Sequence, residues 1–169
     1  RASFRRLHES GCFVLPNPWD IGSARLLQSM GFKALASTSA GFAWSMGRPD
    51  NGVSCDEVGA HLKVLCEATD LPVNADFEGG FAHDPEGVAA NVARGVTAGV
   101  AGLSIEDATG DRSAPLYETA LAVERIRAAQ QEARENERGL WAACSGPATA
   151  TVAPAGPTVV PSSETTLPS

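Results

Sequence analysis

Short apolar runs alternate along this chain with stretches in which apolar residues recur at helical spacing. Cys12–Leu15 is the first run, and Pro16 and Pro18 carry it into a loop. Asp20 can cap a helix whose apolar face is Ile21, Ala24, Leu27 and Met30, ending at Gly31. Phe32–Ala36 predicts a second strand, which leads into the small, polar stretch Ser37–Gly41. The long loop FAWSMGRPDNGV follows, punctuated by Gly47, Pro49 and Gly52. Ser54 and Glu57 then make a capping box ahead of a helix with Val58, Leu62, Leu65 and Cys66 on one face. A third strand is expected at Leu71–Phe77 and a fourth at Ala101–Ile105. Between them a helix begins near Asp84-Pro85 and shows Val88, Val92 and Val96 at helical spacing. After the loop ATGDRSAPLY, a further helix presents Val123, Ile126, Ala129 and Ala133. Strand–helix alternation with buried strands implies an α/β fold with a parallel sheet and right-handed crossovers. An open doubly wound sheet and part of a (β/α)₈ barrel both satisfy that pattern.

Two of the runs end in acids. Leu71 and Val73 give way to Asn74, Asp76 and Glu78, and Leu103 and Ile105 give way to Glu106 and Asp107. Acids at the C-terminal ends of buried parallel strands lie where the sheet opens to solvent. Two such ends side by side offer several oxygen ligands around one point, which suits a hard cation such as Mg²⁺. The plainer alternative is that these acids cap the helices that follow.

Composition narrows the partners. The 169 residues suffice for one ordinary core, and a hydrophobic content of 43% is that of a globular protein. A net charge of −7 argues against nucleic acid, because phosphate binding needs a basic face. No apolar run approaches a membrane span, so no membrane partner is expected. The basic start RASFRRLHES has no apolar signal core behind it and reads as a first helix; without an initiator Met, a trimmed start is expected. Cys12, Cys55, Cys66 and Cys144 are scattered and form no Cys-x-x-Cys pair, which fits reduced thiols in a cytoplasmic protein. His8, His61 and His83 lack metal-ligand spacing, and only His83 lies near the acidic strand ends.

From about Phe4 to Ala129 the chain resembles the isocitrate lyase / phosphoenolpyruvate mutase superfamily. The resemblance rests on LPNPWDIGSARLLQSMGFKALASTSAG, GRPDNG, NADFEGGF and GLSIEDATGD, in that order. It implies a (β/α)₈ TIM barrel of the phosphoenolpyruvate-binding type, with Mg²⁺ holding a small 2-oxo or 2-hydroxy acid or its enolate. Such an enzyme is a lyase or mutase that makes or breaks the C–C or P–C bond beside the enolate. Carried over by position, Ser37, Thr38, Ser39, Ala40 and Gly41 match the loop that holds the substrate carboxylate. Asp50 matches an acid that reaches the metal through water, Asn74 and Asp76 match a metal-binding pair, and Glu106 matches the acid that closes the metal shell. Asp50, Asp76 and Glu106 are thereby the expected catalytic acids, and Asp107 an expected substrate contact, with Asp111, Arg112 and Tyr117 behind it.

Three departures follow. Asn74 stands where an aspartate is usual, which removes a negative charge from the metal shell; Glu78 either compensates or points to solvent. Lyase members carry a Lys-Cys-Gly-His type loop after the fourth strand and mutases a lysine, whereas DATGDRSAPLY has no Cys, Lys or His. A true isocitrate lyase is therefore not expected. Finally, such barrels run to about 250 residues, and only four β/α units are expected here. The expected organisation is a partial barrel over residues 1–129, a polar helix of different character over 130–144, and a disordered Pro/Ser/Thr/Ala-rich tail over 145–169. The segment 130–144 is similar to the terminal helix of thermonuclease-type domains, though nothing upstream matches a nuclease. An inactive truncated or fused fragment and an α/β binding module are the alternatives to an enzyme. Open strand edges and apolar inner faces at Val14, Leu35, Val73 and Ile105 predict a homo-oligomer.

Overall fold

The computed structural model describes residues 2–135; the Gly139-Leu140-Trp141 stretch and the expected tail lie outside the described residues. Among the described residues six helices and three strands follow one another as α1 (Ala2–Leu7), α2 (Ile21–Ser29), β1 (Leu35–Ala36), α3 (Ser39–Ser45), α4 (Cys55–Ala68), β2 (Val73–Asp76), α5 (Pro85–Thr97), β3 (Gly102–Ser104) and α6 (Thr119–Glu135). The strands form one parallel sheet in the order β1-β2-β3, with Leu35 opposite Val73 and Asn74 opposite Gly102.

The helix starts follow local chemistry. The Asp20 side chain accepts from Ser23 N, Ser54 and Glu57 close a reciprocal capping box, and Asp84 accepts from Gly87 N just before Pro85. Each satisfies backbone N–H groups that the first turn leaves without partners.

The first expected strand does not form. Cys12–Leu15 is irregular and Val14 is 65% exposed, although Ala36 N donates to Pro16 O at 3.0 Å. Pro16 and Pro18 have no N–H to continue a ladder, so the contact with β1 stays a single point.

The two sheet faces are unlike. Leu35 and Val73 pack with Ala24 and Leu65, and Ala75 and Phe77 pack with Val58, Leu62 and Val100, so this face looks onto the helices. Ile105 joins the cluster of Val88, Val92, Val96 and Ala129 between α5 and α6. The expectation of Leu35, Val73 and Ile105 as inward-facing apolar residues is therefore corrected: they face the outer helix layer. Period-two alternation sends Asn74 and Asp76 to the other face. At the N-terminal ends of the strands, Phe4 of α1 is buried with Ala34 and Ala101. A Cβ on Gly102 would come within 2.9 Å of the Phe4 ring and 2.7 Å of Asn74 Oδ1, so only glycine fits beneath that helix.

The helix α6 runs through Ala129 to Glu135 without a break. Its buried stripe is Arg125, Ala129 and Ala133, while Val123 and Ile126 stay 40% and 38% exposed, contrary to the apolar face read from spacing. Among the described residues no helix is long and apolar enough to cross a membrane.

Candidate active site

The C-terminal ends of the strands carry most of the acids read from the sequence. Asp76 ends β2, and its Oδ2 accepts from Ser39 N at 2.9 Å and from Ser39 Oγ at 2.8 Å. Its backbone N donates to Ser37 Oγ at 2.9 Å. Past the named strands the pairing continues, with Phe77 N to Ser104 O at 3.0 Å and Glu106 N to Glu78 O at 2.8 Å. Glu78 and Glu106 are thus set side by side by backbone hydrogen bonds, beyond the point where the sheet has opened.

Ser37–Gly41, expected as a loop, is a two-residue link after β1 followed by the first turn of α3. Thr38 is the N-cap and its hydroxyl accepts from Gly41 N, an arrangement small residues permit and the apolar pattern conceals. Ser37 and Ser39 hold Asp76, and Ala40 occupies the same turn. Asn74 lies one layer deeper than Asp76, its amide donating to Ser104 Oγ at 2.9 Å. Asp50 and Asp107 are exposed at the rim.

Glu78 is the acid whose weight sequence reasoning underestimated. Its side chain is buried, its backbone is left-handed (φ 47°), and its Oε1 has no hydrogen-bond partner. Burial first, then the charges of Asp50, Asp76 and Glu106, push its carboxyl up to about 7. Glu106 is raised as well, by burial and then by Asp76, Asp50 and Asp107. The five acids therefore share one electrostatic neighbourhood.

A cavity of 240 Å³ opens beside them, walled by Glu78, Glu106, His83, Tyr117, Thr109 and Asn51 among others. The described non-glycine residues with positive φ are Asn51, Glu78 and Phe81, and all three lie on this wall. Backbone strain of that kind costs about 1–3 kcal/mol per residue and gathers where function needs it. The loop after β3 folds back as a small hairpin, with Ala108 bridged to Leu116 and Tyr117 N donating to Asp107 O at 2.9 Å. Tyr117 thereby meets His83, Nδ1 to hydroxyl at 2.6 Å. Neither contact could be read from spacing, because 34 residues separate the two partners.

Oxygen donors of this kind suit Mg²⁺, and a buried carboxylate oxygen without a partner is what a cation would satisfy. As the side chains stand, no three His, Cys, Asp or Glu among the described residues come close enough together to hold a metal. Like charges repel, and drawing these carboxylates onto one point requires positive charge between them.

The chain matches the family described as phosphoenolpyruvate phosphomutase over residues 4–142. A Burkholderia cenocepacia J2315 protein, provisionally named a lyase/mutase, is 49% identical; the superposition has a TM-score of 0.77 and covers 79% of this chain and 48% of that one. The 2,3-dimethylmalate lyase structure, from a PEP mutase/isocitrate lyase superfamily member, is 32% identical with a TM-score of 0.74, covering 81% and 50%. An uncharacterized protein of Mycobacterium tuberculosis H37Rv is 35% identical over 130 residues, 76% of this chain and 48% of its own length. The chain spans about half the length of the curated relatives it matches.

Proposed function

We propose, from the premise that this chain belongs to the phosphoenolpyruvate mutase/isocitrate lyase superfamily, that it carries the acid-lined side of an Mg²⁺-dependent lyase or mutase site. Its substrate would be a small 2-oxo or 2-hydroxy acid processed through an enolate. Superfamily structures are of TIM-barrel type, and β1–β3 with their helices read as an arc of such a barrel. The observation that carries this reading is the buried, unpartnered Glu78 Oε1 faced by Asp50, Asp76 and Glu106.

Each residue has a task in this reading. Asp76, held by Ser37 and Ser39, is the most rigidly placed acid and the principal ligand; Asp50 and Glu106 approach from neighbouring loops. Glu78 takes over the charge lost at Asn74, whose amide is engaged with Ser104. The turn Ser37–Gly41 borders the place where a substrate carboxylate would lie, with Asp107 on the opposite rim. Mg²⁺ bound there would neutralise carboxylate and carbonyl oxygens, so that enolate charge develops against existing positive charge.

Magnesium titration by calorimetry tests the site. Asp76→Ala should abolish the binding heat, whereas Asp84→Ala should leave it intact, because Asp84 only caps α5. Equal heats for both variants and the parent would sink the site as drawn and favour a binding module whose acids serve as caps.

Self-association belongs to the same proposal. Among the described residues β3 ends the sheet on one side, and the far side of β1 is met only by Pro16 O and the Asn17 amide. A two-fold pairing of copies would cover such edges. Sedimentation at low micromolar concentration should show a dimer or larger species; a monomer with a sharp thermal transition would refute this.

A further inference from the structure

In the lyase reading an enolate gains or loses a proton at carbon, and the wall of the 240 Å³ cavity beside the acids offers few groups able to exchange one. Thr109 Oγ1 is engaged with the carbonyls of Ala114 and Asp111, and Asn51 has only an amide. Glu78 and Glu106 are claimed by the cation in the reading above. What remains is the Tyr117–His83 pair, hydroxyl to Nδ1 at 2.6 Å, with both residues on this wall and the phenol the less exposed of the two. Tyr117 is half-buried and His83 exposed, so the pair leads from the cavity to solvent.

The ring is fixed from behind. The Arg125 guanidinium lies 3.9 Å from the centroid of the Tyr117 ring, a cation–π contact. The same guanidinium donates to Gly79 O, to Ala82 O at 3.0 Å and to Glu106 O at 3.4 Å. One buried side chain thus ties the phenol to the backbone segments that carry Glu78, His83 and Glu106. Such fixing is what proton transfer needs, because general acid catalysis depends on a donor within hydrogen-bond reach and in register.

We infer that Tyr117 is the proton-transferring catalytic residue of this site, with His83 as its relay to solvent and Arg125 as the positioning residue. The inference rests on the lyase reading above. In the direction of protonation the enolate carbon takes the hydroxyl proton of Tyr117, forming C–H as O–H breaks. The phenolate then takes the Nδ1 proton of His83, whose ring regains a proton from water. No oxidant or reductant is needed.

The test uses the full chain with Mg²⁺ and two probes, pyruvate and oxalate. Pyruvate methyl hydrogens should exchange with D₂O, followed by proton NMR, while oxalate binding is measured by calorimetry. Tyr117→Phe should slow exchange by about 100-fold and leave oxalate affinity within about threefold, since the hydroxyl acts on the proton rather than on ground-state binding. The ¹⁵N resonance of His83 Nδ1 should shift when oxalate binds to the parent and stay still in Tyr117→Phe. Circular dichroism of the variant checks that it folds. Exchange by Tyr117→Phe at the parent rate overturns the assignment. A parent that binds oxalate but incorporates no deuterium overturns it too, while the metal reading stands. A parent that binds neither Mg²⁺ nor oxalate overturns both.

Discussion

Replacing Arg125 with Ala is expected to remove about 3–5 kcal/mol of stability, a large part of what a domain of this size possesses. Arg125 is 1% exposed, which is rare for an arginine, and belongs to the buried stripe of α6 with Ala129 and Ala133. Its polar partners are carbonyl oxygens of Gly79, Ala82 and Glu106 and the face of Tyr117. Truncation opens a cavity and leaves these part-buried carbonyls without the donor, and each buried unsatisfied group costs about 1–3 kcal/mol. Arg125→Met separates the two effects, because it refills the stem volume but supplies no donor. It should still cost about 2 kcal/mol or more. Urea unfolding followed by circular dichroism measures both variants. If Arg125→Met matches the parent within error, the guanidinium is not what joins the two strand-end loops.

Arg125 also marks the boundary of what was legible in the sequence. The Asp20 cap, the Ser54/Glu57 capping box, the helix α5 start at Asp84-Pro85 and the strands ending in Asp76 and near Glu106 were all readable, because each depends on neighbours within a few residues. Asp76, Glu78, Glu106 and Asp107 could be picked out because they end apolar runs, whereas Asp50 came only from the resemblance carried by GRPDNG. Features set by distant contacts were not readable. An arginine at the spacing of Ala129 and Ala133 looks like a break in an apolar stripe, and only the carbonyls of two remote loops make it a buried residue. The apolar run Cys12–Leu15 matches a strand in composition, yet two prolines stop its ladder. Likewise Ser37–Gly41 lacks a helical apolar pattern, and the Thr38 cap nucleates α3 regardless. The pairing of His83 with Tyr117 requires the hairpin after β3, whose bridge between Ala108 and Leu116 leaves no trace in hydrophobic periodicity.

In the metal-free protein, Glu78→Gln is expected to raise stability at pH 8 and to leave it unchanged at pH 4. An unfolded chain releases the Glu78 proton near the ordinary value of 4.5, whereas in the fold burial and the charges of Asp50, Asp76 and Glu106 hold it until about 7. Below pH 4.5 both states carry the proton and the carboxyl costs the fold nothing through linkage. Between 4.5 and 7 only the folded state retains it, and stability falls as pH rises; above 7 the penalty is complete. A displacement of that size corresponds to an upper bound of about 3–4 kcal/mol. Solvent that reaches the open cavity screens part of it, so a gain of about 1–2 kcal/mol is expected for the glutamine variant at pH 8. Glutamine keeps the shape and removes only the charge, which isolates the electrostatic effect from packing. Saturating Mg²⁺ should reverse the ranking at pH 8, because a cation among these acids stabilises the parent by mass action and the variant less. Thermal unfolding at pH 4 and 8, with and without Mg²⁺, decides the matter. A Glu78→Gln variant no more stable than the parent at pH 8 without metal would mean that Glu78 is not electrostatically strained. The charge at the end of β2 would then be no reservoir for metal binding.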